Sequence, residues 1–193
     1  FLDLRGERQA AVTGILRQGH IPAGMELFAA GDEEQLQVIR RWIDQSDIFM
    51  LILGQRYGSV HPQNGKSYTQ LEFEYAVASG KPLFSVVLSR EFMNKKVRDG
   101  SRVEDIYEQR YQTEFRGFER DVTSKMCRFV DDLKDIQLAT ADSIRNLQTR
   151  HPFTGWLPAD SLMLAQSECY PNLTSEGYSA TLKSALEGAR TID

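Results

Sequence analysis

The chain has 193 residues and a net charge of −4 from 23 basic and 27 acidic side chains, which suits one domain with its own core and leaves no basic footprint for nucleic acid. Its two cysteines, Cys127 and Cys169, lack the spacing of a zinc site or a disulfide framework. The longest apolar run, residues 48–53, is too short to span a bilayer, and no signal peptide is visible. We therefore expect a cytoplasmic protein with no metal, no nucleic-acid partner and no membrane partner.

The N-terminal region begins with a helical pattern. Part of one face of this helix is formed by Leu4, Ala11, Ile15 and Gln18. Because an open α/β sheet usually starts with a strand that leads into its first helix, we expect a strand to be missing from the start of this chain. Residues 20–28 predict a short edge strand, since Pro22 suits an edge and not a central position.

A second helix is predicted after Asp32, which forms a capping pair with Gln35. Its core stripe consists of Leu36, Ile39 and Ile43. Two apolar runs of strand length follow, at residues 47–54 and 83–88. Such continuous runs are typical of strands that are covered on both faces in a parallel sheet.

A short helix is predicted between these two strands. Ser67 is a good N-cap and Gln70 stands three residues later, as in a capping box. Gly80, followed by Lys81-Pro82, marks the end of the helix. The residues expected to face the sheet are Leu71, Tyr75 and Ala78. Strand, loop, helix and strand together predict a βαβ unit.

The C-terminal half is predicted from weaker patterns. Residues 90–102 are charged and indicate a solvated connection or a frayed helix; the alternative for this stretch is an anion site. A long helix is predicted over residues 103–119 and a last short strand over residues 126–130. Asp135 is expected to cap a helix that runs to about residue 150. A final helix is predicted over residues 181–190.

The loop after the first apolar strand contains candidate substrate-binding residues: Gly54, Arg56, Tyr57 and Gly58. In an open sheet this loop lies at the carboxyl edge, where ligands bind near the switch point. Arg56 could hold a phosphate or carboxylate and Tyr57 could stack on a base. Alternatively, both side chains brace the loop, and Gly58 simply forms a turn.

The start of the following helix supplies the other candidates. Backbone N–H groups near Ser67 and Thr69 favour anions, and Tyr68 lies four residues before Glu72, where it could shield or orient that carboxylate. Ser67 could equally be only a helix cap, and Glu72 only a surface residue. Glu74 projects to nearly the opposite side of the helix, since two residues subtend about 200°. The two carboxylates therefore do not form a glycosidase-like acid/base pair.

Several segments together resemble a family known as domain of unknown function 4062, related to TIR domains and nucleoside deoxyribosyltransferases. They are residues 1–8, 24–28, 32–35, 43–47, 53–58, 67–72 and 154–156. The resemblance implies a TIR-like domain over residues 1–157, followed by a C-terminal extension or linker over residues 158–193. It also implies a flavodoxin-like open parallel sheet of about five strands, with helices on both faces and the first strand absent from this chain.

The resemblance also implies a function. Enzymatic TIR domains and deoxyribosyltransferases carry a glutamate eight residues before a Gly-Lys pair, and Glu72 stands eight residues before Gly80-Lys81. Glu72 would then be catalytic in an NAD glycohydrolase of an immune or antiphage defence protein, activated when the full-length protein self-associates. NAD would be the substrate, and no cofactor is expected. The alternatives are a nucleoside- or nucleotide-processing enzyme of the deoxyribosyltransferase type and a non-catalytic ligand-binding or assembly module.

Overall fold

The structure, a computed structural model, describes residues 4–24, 34–153 and 155. Contacts within the chain divide it into two units, residues 1–153 and residues 154–193. Nearly all of the second unit lies outside the described residues. The predicted boundary after residue 157 and the predicted helix over residues 181–190 therefore stay predictions.

Three parallel strands form one open sheet: β1 (Phe49–Leu53), β2 (Leu83–Leu88) and β3 (Cys127–Val130). Their order in the sheet is β1-β2-β3, so each strand pairs with the next one along the chain. All three were predicted, β1 and β2 from their apolar runs and β3 from a weaker pattern over residues 126–130. The described residues give β1 a strand neighbour on one side only, and a further strand on its other side stays a prediction.

Seven helices are described. They are α1 (Arg5–Arg17), α2 (Gln35–Gln45), α3 (Tyr68–Ala78), α4 (Arg90–Arg98), α5 (Val103–Ile106), α6 (Gln112–Thr123) and α7 (Leu133–Arg150). Helix α3 connects β1 to β2, and α4 to α6 connect β2 to β3. The protein therefore has a mixed α/β architecture, with an open parallel sheet and helical crossovers.

Helices cover both faces of the sheet. Side chains alternate along each strand, so every strand contributes residues to both faces. On one face, Val86 and Leu88 of β2 pack in a core that includes Ala10 of α1 and Ile136 of α7. On the other face, Val87 packs in a core with residues of β1, α3 and α6, namely Leu51, Leu53, Phe73 and Phe118. Burial on both faces explains why β2 is a continuous apolar run.

Two predictions in the N-terminal half need correction. Of the strand predicted over residues 20–28, residues 20–24 form no strand, and residues 25–28 lie outside the described residues. Ile21 is 73% exposed, and Pro22 has no N–H to donate to a neighbouring strand. Helix α2 begins at Gln35 with Glu34 as its N-cap; Asp32 also lies outside the described residues. The core stripe of α2 is confirmed, since its three predicted residues, Leu36, Ile39 and Ile43, are all buried.

The buried face of α3 also differs from the prediction. Its fully buried residues are Phe73 and Ala76, whereas Leu71 and Tyr75 are only partly buried and Ala78 is exposed. The helix is covered on two sides, because Phe73 meets the core of the sheet and Ala76 meets Ile39 and Ile43 of α2. A single stripe at helical spacing cannot describe a helix that packs on two neighbours.

The charged stretch after β2 is an ordered helix. The Ser89 hydroxyl caps α4 by accepting the Phe92 N–H at 3.1 Å, and Phe92 and Met93 are buried. These two apolar residues attach α4 to the core, which the surrounding charges concealed in the sequence.

The long helix predicted over residues 103–119 is two helices, α5 and α6, separated by residues 107–111. Tyr107 forms an isolated parallel bridge with Gln55, and the Glu108 carboxylate accepts the N–H groups of Arg110 and Tyr111. Side-chain acceptors that bind nearby backbone N–H groups compete with helical hydrogen bonds. The helix is interrupted for this reason.

Helix α7 was expected, but its N-cap is Asp132 and not Asp135. The Asp132 carboxylate accepts the Asp135 N–H at 2.8 Å, and the Asp135 carboxylate accepts the Asp131 N–H at 3.2 Å. This reciprocal arrangement resembles a capping box with a second aspartate in place of the usual glutamate.

Candidate functional site

The start of helix α3 is fixed by Ser67, as predicted. Ser67 is fully buried, and its hydroxyl accepts the Gln70 N–H at 3.2 Å. The Gln70 side chain does not reach back to complete a capping box. Instead, its Oε1 accepts the Tyr57 hydroxyl at 2.5 Å and its Nε2 donates to Glu74 at 2.8 Å. Gln70 therefore joins the loop after β1 to helix α3.

The loop over residues 54–58 packs against the same end of α3. Gly58 has a φ of 90°, which favours glycine, and a Cβ at this position would lie 3.5 Å from Thr69 Oγ1. A Cβ at Gly54 would lie 3.2 Å from the Leu4 side chain. The structure thus brings Gly58 and Thr69 together, and it uses Gly54 to admit Leu4 beside the end of β1.

Tyr57 lies in the core. Its side chain is 2% exposed, and its ring centroid lies 6.0 Å from that of Tyr111 and 6.4 Å from that of Phe118. This packing leaves no free ring face for a base in this structure. Its hydroxyl instead donates to Gln70. The position of Tyr57 therefore matches the alternative interpretation, in which its side chain braces the loop.

Tyr68 also packs on neighbours within the fold. Its ring centroid lies 5.3 Å from the ring of His61, and its backbone N–H donates to the Ser59 carbonyl at 3.0 Å. Its side chain also packs on the cluster of Ile39, Ile43 and Ala76 between α2 and α3. Tyr68 remains partly exposed, so it lies at the rim of that cluster.

Arg56 is exposed and lies near Glu108, whose pKa its charge helps to lower. Glu108 accepts the backbone N–H groups of Tyr57, Arg110 and Tyr111, each at 2.9 Å. Burial opposes the charge of Glu108, but these three donors together with Arg56 hold its pKa below the ordinary value. Glu108 is therefore a charged structural group that fixes the loop carrying Tyr57.

Glu72 is in a contrasting environment. It is half-buried, and no hydrogen bond or ion pair engages its carboxyl group among the described residues. Burial raises the pKa of Glu72 from 4.5 to about 7. Residues four apart share a helix face, so Glu72 lies between Tyr68 and Ala76 on the face that meets α2.

Glu74 is separate from this group. Its carboxylate oxygens each lie 2.8 Å from the Lys66 ammonium, and it also accepts a hydrogen bond from Gln70. A committed, ion-paired carboxylate is poorly suited to catalysis. The prediction that Glu72 and Glu74 do not act as a pair agrees with these different surroundings.

Sequence reasoning missed Glu108 and assigned Gln70 only to a capping box. The contact of Glu108 with Tyr57 joins positions 51 residues apart, so no local pattern could reveal it. The bond from Tyr57 to Gln70 spans 13 residues and crosses from the loop to the helix. Both depend on how β1 is placed against its neighbours.

The carboxyl group of Glu72 is the reactive group that this arrangement leaves available. At neutral pH it is divided between its acid and its carboxylate, so it can accept or donate a proton or contact a developing cation. Among the described residues, no three His, Cys, Asp or Glu side chains gather as metal ligands. No helix in those ranges combines the length and the apolar character that a membrane crossing requires.

Comparison with known proteins identifies a family. The family described as Domain of unknown function (DUF4062) matches residues 1–145. Comparison with curated proteins and with solved structures finds no match. Because residues 1–145 are most of the chain, the protein belongs to the family of domains of unknown function DUF4062.

Proposed function

We propose that this domain is TIR-like and cleaves the N-glycosidic bond of NAD, with Glu72 as its catalytic residue. The observation that carries the proposal is a half-buried carboxyl group that has no partner among the described residues and a pKa of about 7. A group that is desolvated without being committed to a salt bridge is a good candidate for a functional site. The spacing of Glu72 from Gly80-Lys81 gives further support.

The chemistry requires one carboxylate. The bond between ribose C1′ and the nicotinamide nitrogen breaks, and its electron pair leaves on nicotinamide, which departs as a neutral base. The ribose then carries oxocarbenium character, which an ionised Glu72 would stabilise or trap as an ester at C1′. Water adds at C1′ and loses a proton, giving ADP-ribose. No general acid is needed for the leaving group.

The surroundings of Glu72 suit such a substrate. Helix α3 begins next to the loop that follows β1. In its first turn Tyr68 N–H donates to Ser59 and Gln70 N–H to Ser67, which leaves the Thr69 N–H for the negative charge of a pyrophosphate. Gly58 and Thr69 lie close together at this point, and Ser67 is the N-cap of the helix. Tyr68 lies one turn before Glu72. The proposal assigns these residues, with Gly54 and Arg56, to the wall of the substrate cleft.

The proposal extends to the fold and the biological setting. We infer a flavodoxin-like sheet of about five strands, in which a further strand pairs with the other edge of β1. The domain would act in an immune or antiphage defence protein whose self-association completes the active site. Activity is therefore expected to depend on protein concentration.

Nicotinamide release from NAD tests the proposal. The chain is assayed at high concentration by chromatography, together with Glu72→Gln and with Glu74→Gln as a matched control on the same helix. We expect release by the wild type and by Glu74→Gln, and none by a folded Glu72→Gln. Equal release by all three proteins would remove Glu72 from the mechanism.

The pH profile distinguishes the roles of Glu72. If the carboxylate is the active form, kcat/KM rises with pH through the free-enzyme pKa of about 7. A fall over the same range would make Glu72 a general acid and contradict the proposed step. Turnover of nucleosides with NAD left intact would replace NAD cleavage by deoxyribosyltransferase-type chemistry. No turnover of either by the concentrated protein would favour a non-catalytic module.

A further inference from the structure

A cavity lies at the carboxyl end of the sheet, and Glu72 is not among its lining residues. Its volume is about 440 Å³, which is within the range of small-molecule sites. Gln55 stands two residues after the end of β1, and Arg90 opens α4 two residues after the end of β2, so the cavity lies where these two strands end. Residues 107–109 and helix α6 complete its wall.

Gln55 is the feature of this cavity that points to a ligand. It is only 6% exposed and lines the cavity. Its backbone carbonyl accepts the Glu108 N–H at 2.7 Å, but its side-chain amide has no hydrogen-bond partner among the described residues. The amide atoms keep a small solvent contact, so this unpartnered group opens into the cavity that the residue lines. This amide can donate to and accept from a bound molecule.

Two guanidinium groups line the same cavity. Arg90 on α4 and Arg116 on α6 are both exposed, and neither forms an ion pair within the described part of the chain. Arg90 is also the first residue of a nine-residue helix whose N-terminal N–H groups favour anions. Arginine is the side chain best suited to hold a phosphate with paired hydrogen bonds.

The carboxylates of the cavity divide into two kinds. Glu108 is already bound by three backbone N–H groups, so it has little capacity left for a ligand. Glu119 on α6 also lines the cavity, and its carboxylate has no partner among the described residues. A carboxylate repels phosphate but accepts hydrogen bonds from hydroxyl groups. The lining therefore suits a ligand that carries both phosphate and hydroxyls.

We propose that this cavity binds a phosphorylated sugar, with its phosphate on Arg90 and Arg116 and its hydroxyl groups on Gln55 and Glu119. The ligand can be a free sugar phosphate or the ribose phosphate of a nucleotide, since both present the same groups. The site does not include Glu72 and is independent of NAD cleavage.

Binding to the full chain tests this site by calorimetric titration with ribose 5-phosphate, AMP, adenosine and inorganic phosphate. We expect ribose 5-phosphate and AMP to bind at least about tenfold more tightly than adenosine or inorganic phosphate. Similar affinities for the first two would identify a sugar-phosphate site, and tighter binding of AMP would identify a nucleotide site. Adenosine or inorganic phosphate binding as tightly as both would overturn the proposal, as would no binding at millimolar concentration.

Exposed arginines provide matched variants that should not disturb folding. The double variant Arg90→Gln/Arg116→Gln should weaken binding of ribose 5-phosphate by more than about tenfold. The control Arg98→Gln/Arg120→Gln changes one arginine on each of the same two helices outside the cavity, and it should leave the affinity unchanged. Equal losses in both double variants would show a general charge effect and contradict the site.

Discussion

Two glutamates show how the fold sets the charge of a carboxyl group. Burial disfavours the ionised form of both Glu72 and Glu108. Glu108 recovers this cost through three backbone N–H donors and nearby Arg56, and its pKa falls below the ordinary value. Glu72 has no such compensation, and its pKa rises to about 7. The Glu108 carboxylate therefore has a structural role, whereas the Glu72 carboxyl group has no partner and lowers the stability of the folded state when it is ionised.

That cost can be measured with Glu72→Gln, which keeps the size of the side chain. The folded state binds the Glu72 proton more tightly than the unfolded state, so the free energy of unfolding falls as pH rises from about 4.5 to 7. Glu72→Gln has no ionisable group at this position, so its free energy of unfolding does not fall for this reason. We expect it to be more stable than the wild type at pH 8, by at most about 3 kcal/mol, and little changed at pH 4. Urea unfolding at both pH values measures the difference.

Glu74→Gln is the control for this effect. It loses a surface ion pair with Lys66, which contributes little to stability. Glu74→Gln should therefore be no more stable than the wild type at pH 8. If Glu72→Gln had the same effect on stability at pH 4 and pH 8, the raised pKa of Glu72 would be refuted.

At the residue scale, the sequence predicts local contacts better than distant ones. The Ser67 cap depends on Gln70, three residues away, and it was predicted correctly. The burial of Tyr57 depends on Tyr111 and Phe118, which are far away in the sequence. A Tyr in a loop at the carboxyl edge looks the same in the sequence whether its ring faces a ligand or the core.

Among the elements, α1 and α7 pack closely because of Gly14. A Cβ at this position would lie 3.1 Å from the carbonyl oxygen of Gln137 and 3.3 Å from Thr140 Cβ. Gly117 in α6 is also a helix-interior glycine, but a Cβ there would meet nothing within 4 Å. These two positions offer the same substitution in opposite settings.

We therefore expect Gly14→Ala and Gly117→Ala to have effects of opposite sign. Gly117→Ala should raise the free energy of unfolding by about 0.5–1 kcal/mol, because alanine loses less backbone entropy on folding. Gly14→Ala should lower it by about 1–3 kcal/mol, because the Gln137 backbone must move to admit the methyl group. Thermal unfolding of both variants tests this. A gain in stability from Gly14→Ala would mean that the two helices are not closely packed there.

At the scale of elements, strong apolar patterns were sufficient to predict helices and strands, whereas charged segments were predicted poorly. Strands β1 and β2 were predicted from apolar runs, and α2 from the spacing of its three core residues. Helix α4 was obscured because its buried residues, Phe92 and Met93, are surrounded by charged ones. The break over residues 107–111 was missed because it depends on contacts with Gln55 and Tyr57, which belong to another part of the chain.

For the whole molecule, the sequence predicts the α/β class and the parallel sheet. It does so because alternation of apolar runs with helices leaves few other architectures. The order β1-β2-β3 follows the chain order, which is the common outcome for consecutive βαβ units. The positions of the two cavity-lining arginines, 26 residues apart (116 − 90), follow only from how α4 and α6 are placed after β2.

The central position of β2 sets the order in which backbone amides should exchange with deuterated solvent. Strand β2 is paired on both sides, whereas β3 is paired only with β2 among the described residues, and its Phe129 is 65% exposed. Amides of β2 should exchange only through global unfolding, and those of β3 through local fraying as well. Hydrogen exchange followed by NMR tests this difference.

If the amides of β3 exchanged as slowly as those of β2, another segment would have to cover the outer edge of β3 in solution. If β2 is the slowest, the centre of the sheet persists while its β3 edge opens. The helices that carry Glu72 and Arg116 lie on different crossovers. Phe73 of the first helix packs against Phe118 of the second in one core, so an opening that exposes one of these helices also uncovers the other.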